Sequence, residues 1–353
     1  IARIYDEVLG HPEEAEPFHR RVLAHDPLHD KAFEALKELY TAAERWDELQ
    51  SLYRTRIAQT SDSGARLDLL LQICFLFEEI LDKSDLAIEA YQQVLEIEPD
   101  HAASRRTLER LYEESERWRD LANLLAGNLE QASGQERVDL MIRLGEIFEH
   151  KLSEPGHAVD QYEAVLADQP THLRVQEALA RLLSVEGQRQ RIATILEPLY
   201  EGQGAWVDLA KVLEIQVVDR ETPTSRSELL MRIGELHEQH TRDGEAGLSA
   251  YSRAVEAEPG NALAREALAK LASGREVYRR RRAEVLARAV ETVQAAPDVQ
   301  AEILLELAVL LDEYLADHPA AERAYERLIG VDPDNAPVVL QAALALERIH
   351  LER

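Results

Sequence analysis

Apolar residues return every three or four positions along most of the chain, in runs of helical length that break at regular points. Residues 63–133 show the pattern in full: RLDLLLQICFLFEEIL, SDLAIEAYQQVLEIE, HAASRRTLERLYEES and RWRDLANLLAGNLEQA are four successive amphipathic segments. In the second, Leu86, Ala90, Tyr91, Val94 and Leu95 share one helical stripe. Ser84 and Asp85 are placed to cap that helix, and Pro99 ends it by withholding a backbone donor and biasing Glu98 away from helical geometry. No alternating, strand-like pattern competes.

The helices repeat as a set. Proline closes HRRVLAHDP, YQQVLEIEP, YEAVLADQP, YSRAVEAEP and YERLIGVDP at Pro27, Pro99, Pro170, Pro259 and Pro333, a period near the 72 residues that separate the first two. Repeats of this kind predict an all-α solenoid, a right-handed α-α superhelix in which each hairpin buries its apolar face against its neighbours. Cys74, Gly145, Gly234 and Ala308 each stand 17 residues before Tyr91, Tyr162, Tyr251 and Tyr325, so a small residue admits the paired helix and the tyrosine fills the space beside it. A second marker, Trp46, Trp118, Trp206 and Tyr278, opens the fourth helix of each set. Trp46 and Trp118 follow their proline by 19 residues, but Trp206 follows Pro170 by 36. The difference predicts an extra helix at 172–184, a kink at Pro198 and a change of superhelical pitch. The units read as 1–62, 63–134, 135–222, 223–296 and 297–353 of one solenoid. IARIYDE at 1–7 matches LGEIFEH at 144–150, and QAALALERIHLER closes the chain inside another phrase, so truncation at both ends is expected.

Composition narrows the function. Sixty-seven acidic and 40 basic side chains leave a formal charge of −27, which repels nucleic acid and anionic membranes and attracts cationic partners. Arginine far outnumbers lysine, a usage expected of a GC-rich bacterial genome. Cys74 is the only cysteine, so no intrachain disulfide or thiolate metal cluster is possible, and its small-residue position predicts burial. No signal peptide and no membrane-length apolar run is present, which points to a cytoplasmic chain with no membrane insertion.

Gly145, Ala158, Tyr162 and Pro170, and more loosely Gly234, Ala246, Tyr251 and Pro259, resemble the glycine, alanine, aromatic and proline positions of the tetratricopeptide repeat. The resemblance covers nearly the whole chain, although alternate hairpins such as LKELYTAAERWDELQSLY lack the proline and small residues. It implies a scaffold or adaptor that binds proteins or peptides on a concave wall formed by the first helix of each hairpin. It also admits a recruiting arm of a larger enzyme, or a half-a-TPR scaffold of an RNA-processing complex. The family's carboxylate-binding clamp needs Lys and Asn where this chain has Leu71, Phe75, Ile142, Glu146, Met231 and Glu235, so binding of chaperone tails is not expected.

The first helices keep one polar stripe each. The candidate partner-binding residues are Asp68, Phe75, Glu78 and Glu79, then Asp139, Glu146 and Glu149, then Glu228, Glu235 and Glu238, and finally Glu302 and Asp312. Carboxylates repeated along a wall predict a Lys/Arg-rich protein or peptide as ligand. Arg275, Arg279, Arg280, Arg281, Arg282 and Arg288 form a basic cluster for which pairing with Glu276 and Glu284 is expected. No phosphate loop, nucleophile elbow or HExxH motif occurs, and His237 and His240 read as surface histidines near a helix end, as His25 and His29 read as turn residues. No catalytic residue, metal ligand or cofactor is expected.

Overall fold

The computed structural model describes residues 1–2, 4–5 and 11–351, the side chain of Pro12 excepted. Much of the 1–7 match therefore lies outside the described residues, as do the last two residues of the closing phrase. The described residues hold nineteen α-helices and no strand. They form two compact units, Ile1–Ser153 and Glu154–Arg353.

The first unit contains α1 (Pro12–His25), α2 (Asp30–Ala42), α3 (Trp46–Gln59), α4 (Ser63–Phe75), α5 (Ser84–Ile97), α6 (Ala102–Glu114), α7 (Trp118–Leu129) and α8 (Gly134–His150). The second contains α9 (Pro155–Asp168), α10 (Leu173–Leu182), α11 (Arg189–Gln203), α12 (Trp206–Val218), α13 (Pro223–Leu236), α14 (Gly244–Ala257), α15 (Ala262–Ala272), α16 (Glu276–Thr292), α17 (Pro297–Val309), α18 (His318–Val331) and α19 (Ala336–Leu351). Within each unit the helices are joined by short turns and consecutive helices pack together. The inserted stretch supplies α10, and Pro198 lies within α11.

Local chemistry explains the breaks. After the turn prolines, His29 Nδ1 accepts from the Ala32 amide at 3.2 Å and His101 Nδ1 from the Ser104 amide at 3.2 Å, while Asn261 accepts from the Ala264 amide at 3.2 Å. Each satisfies one of the donors left over at a helix start. His29 is thus a helix cap. The cap reading at Ser84 and Asp85 is corrected: Lys83 occupies the cap position of α5 without a side-chain bond, and Ser84 begins the helix itself. Trp46, Trp118 and Trp206 open α3, α7 and α12, while Tyr278 is the third residue of α16.

Packing follows the repeat. Cys74, Tyr251, Ala308 and Tyr325 are buried, and burial pushes the Cys74 thiol up to about 12. Gly234 makes a close approach. A Cβ built there would stand 2.3 Å from Cε1 of Tyr251, so the α13 backbone lies directly on the tyrosine ring of α14. Burying one such large side chain stabilises by about 1.5–3 kcal/mol, and the spacing places one tyrosine in each repeat, on α5, α9, α14 and α18.

Candidate protein-binding surface

The polar stripes lie on α4, α8, α13 and α17, and the structure divides them into inward and outward positions. Three of these helices end in a π turn, Leu76–Ile80, His237–Thr241 and Leu310–Tyr314, while α8 stays α-helical to His150. Tyr91 Oη donates to Glu78 Oε2 at 2.6 Å, and Tyr251 Oη donates to Glu238 Oε2 at 3.1 Å. A cation from the third helix joins each pair: Arg110 on α6 reaches Glu78, and Lys270 Nζ on α15 lies 3.1 Å from Glu238. Asp312 is 3% exposed at its side chain, bridged to Arg348 on α19 and 3.3 Å from His318 Nδ1.

These contacts perturb the tyrosines. Burial first, and the Glu78 carboxylate second, raise the Tyr91 hydroxyl well above the ordinary phenol value. Burial and Glu238 do the same to Tyr251, and burial with Asp312 pushes Tyr325 up to about 12. Tyr91 and Tyr251 keep their protons and donate them to Glu78 and Glu238.

The stripes are therefore not uniformly solvent-facing. Glu78 and Glu238 are tied into the hairpins that carry them, Asp312 is buried, and Glu149 is 9% exposed at its side chain beside His150. Glu146 is half-buried. Asp68, Phe75, Glu79 and Asp139 in the first unit, and Glu228, Glu235 and Glu302 in the second, are exposed. Glu302 also contacts Arg265, which is 4% exposed at its side chain and donates to Glu302 at 2.7 Å, Glu306 at 2.8 Å and the Pro259 carbonyl at 2.6 Å.

The stripe's middle position is a brace to an earlier helix. Arg143 on α8 donates to Glu109 and Glu113 on α6, both at 2.6 Å; Arg232 on α13 donates to Glu197 at 2.5 Å and Glu201 at 2.9 Å on α11. The same role with reversed sign falls to Glu306 on α17, which accepts from Arg265 on α15 and Arg282 on α16. Gln72 on α4 accepts from Tyr53 Oη on α3 at 2.9 Å.

Two hollows border this stripe in the first unit. One, of about 380 Å³, is lined by Trp46, Leu49, Leu71, Phe75, Leu76 and Ile80 among others; its neighbour, of about 390 Å³, carries Asp30, Glu34, Asp62 and Asp68, and Gln72 lines both. Phe75 is 58% exposed at the mouth of the first.

The arginine cluster is consumed locally. Arg280 binds Glu276 at 2.8 Å, Arg281 lies 3.9 Å from Glu284, Arg282 binds Glu306, and Arg288 binds Glu256 at 2.5 Å. His237 meets Thr241 at 3.0 Å, while His240 stacks on Trp206 with ring centroids 3.8 Å apart. Among the described residues no group of three or more His, Cys, Asp or Glu is placed to hold a metal ion, and no helix is long and apolar enough to cross a membrane.

Sequence reasoning missed the inward carboxylates, and a spacing marks two of them. Glu78 with Arg110, and Glu238 with Lys270, are each 32 residues apart.

A family model for the tetratricopeptide repeat matches residues 32–67, which covers α3, nearly all of α2 and the start of α4. Sequence and helix pattern together describe a tetratricopeptide-like helical repeat protein. No curated protein matches the chain. Among solved structures, a complex of Naa15 and Naa10 with HypK-THB is similar at 13% identity and a TM-score of 0.30; the match covers 99% of this chain and 59% of that one, so the chain spans less than two thirds of that protein's length. YrrB, a TPR protein with an unusual peptide-binding site, is similar over 50% of this chain and 87% of its own, at 17% identity and a TM-score of 0.26. The TPR2AB domain of yeast Sti1 in complex with an HSP90 peptide covers 81% of this chain and 99% of its own, at 12% identity and a TM-score of 0.26. Likenesses this distant carry no ligand or partner across.

Proposed function

We propose that the chain is a non-catalytic protein-interaction scaffold whose exposed first-helix carboxylates engage a Lys/Arg-bearing segment of a partner protein. The supporting observation is the sorting of the acidic stripe: Glu78, Glu238 and Asp312 are held inside the fold, whereas Asp68, Asp139, Glu228 and Glu235 are exposed on successive first helices. Each unit thus offers its own acidic strip. Carboxylates fixed on rigid helices attract cationic side chains at range and lose little freedom on contact, so they favour association rate and choice of partner over raw affinity.

The test is a peptide array at low and high salt, probed with the native chain and with an Asp68→Lys, Asp139→Lys, Glu228→Lys, Glu235→Lys variant. The expected result is enrichment of Lys and Arg among bound peptides, weakened by salt and lost in the variant. Equal binding by both chains would overturn the reading.

A further inference from the structure

The position eleven residues before each hairpin tyrosine is Ile80, Lys151, His240 or Tyr314. In two repeats it closes the face of the tryptophan that opens the fourth helix. Lys151 Nζ stands 4.4 Å from the ring centroid of Trp118, and His240 lies parallel to Trp206. A cation or imidazole over the indole satisfies the ring face and keeps a polar group toward water. In the repeat that contains Trp46 the corresponding residue is Ile80, 43% exposed, and both residues line the 380 Å³ hollow.

A second departure falls at the same place. Sixteen residues before the tyrosine the chain has Phe75, Glu146, Glu235 and Val309. Only the Trp46 repeat puts an aromatic there. Two exposed apolar side chains thus stand beside one hollow that Leu49 and Leu71 also line, together with Lys37, whose charge is paired with Glu34. Exposed apolar surface gathered at a concavity, where the Trp118 and Trp206 repeats use polar groups, is costly unless something covers it.

Size and charge select the occupant. About 380 Å³ is near the lower limit of ligand sites, enough for one large side chain and its backbone. In the adjoining hollow, reached across Gln72, Lys37 and Arg56 neutralise Glu34 and Asp30, which leaves the exposed Asp62 and Asp68 as its uncompensated charge. A residue flanking the anchor therefore meets negative charge.

From these observations we infer that the hollow over Trp46 seats a single large apolar side chain, aromatic or aliphatic, carried by a Lys/Arg-bearing partner segment. The inference rests on the scaffold reading and adds the residue that sets where on the first unit the segment docks.

The experiment is a two-by-two peptide set: nine-residue amidated peptides with Phe or Ala at the centre and Lys or Ser on both sides, the outer positions randomised. Affinity is read by fluorescence anisotropy against the native chain and against Ile80→Lys and Phe75→Glu, which copy Lys151 and Glu146 of the next repeat. Both sites are exposed, and circular dichroism checks the fold. The expected result is at least tenfold tighter binding of Phe-centred than Ala-centred peptides, falling below twofold in either variant. A Phe/Ala ratio near one, or a ratio that survives in both variants, overturns the anchor. If the Lys/Ser ratio is large while the Phe/Ala ratio is one, the acidic scaffold stands and the anchor falls; the opposite pattern removes the charge reading and keeps the anchor. Absence of binding by every peptide overturns both.

Discussion

Substituting Gly234 by alanine sets two principles against each other. In an exposed helix the change gains about 1 kcal/mol because alanine is the better helix former. Here the new methyl would stand 2.3, 2.5 and 2.8 Å from three ring atoms of Tyr251. Non-bonded carbons settle at 3.5–4.0 Å, so ring and backbone must part by roughly an ångström. Little room exists for that. Tyr251 is 1% exposed, and its hydroxyl is tethered to Glu238 at 3.1 Å. Overpacking of this kind costs about 1–3 kcal/mol, and loosening the Tyr251 hydrogen bond adds about 1 kcal/mol, so the net effect is destabilisation by about 1–3 kcal/mol. Urea unfolding followed by circular dichroism measures it, with Tyr251→Leu and the double variant completing a cycle. A coupling above about 1 kcal/mol is expected, since the smaller side chain leaves room for the methyl. A stabilising Gly234→Ala, or additive effects across the cycle, would refute the claim that Gly234 is small for the sake of Tyr251.

Two further outcomes follow from the structure. Burial alone would raise the Glu197 carboxyl, but the hydrogen bonds from Gln216 at 2.7 Å and Arg232 at 2.5 Å outweigh it and hold it below its ordinary value. Its contribution is then present above the unfolded carboxylate value near 4.3 and lost as pH falls through the lower folded value, so Glu197→Gln should cost about 1.5–3 kcal/mol at pH 7 and converge with the native chain in acid urea titrations. Replacing His101 by alanine removes the acceptor for the Ser104 amide and should cost about 1 kcal/mol in urea midpoint, whereas His101→Asn should restore most of it, as Asn261 does before α15.

The repeat was legible because helix period, proline stops and side-chain volume are local properties. Pro99 and Pro259 end their helices wherever the rest of the chain lies, and a small residue 17 positions before a tyrosine states a packing distance directly. The cap at His29 was not legible, because a histidine beside a turn has many uses and only the amide of Ala32 selects one. The carboxylate stripe was half legible. Periodicity put Glu78 and Glu79 near one face, but Glu78 accepts from Tyr91 while Glu79 stays exposed. Periodicity assigns a face, and the contact that separates the two comes from Tyr91 on the next helix and Arg110 on the one after it. Left-handed backbone marks the same repeat in ways composition hides: Asp82, Ser153, Arg242 and Ala316 all have φ between 49° and 57° just beyond the first helices, and none is glycine.

Net charge constrains the surface more tightly than the list of ion pairs suggests. Even if each of the 40 basic residues neutralised one of the 67 acidic ones, 27 carboxylates would keep no counter-charge, so acidic surface is obligatory in this chain. The pairing pattern only decides where it collects. Arg143 and Arg232 neutralise the middle of their stripes by reaching back to α6 and α11, and Arg110 and Lys270 neutralise the ends at Glu78 and Glu238. What remains exposed is the start of the first helices, at Asp68, Asp139 and Glu228, together with Glu79 and Glu235. Beyond a Debye length of about 8 Å at physiological salt these groups act separately, so a cationic segment senses the nearest strip and not the sum of 27 charges. Salt should therefore weaken a partner's association rate in proportion to the strip it meets. Reversing Asp68, which lines the hollow next to the one over Trp46, should flatten that dependence for a ligand anchored there.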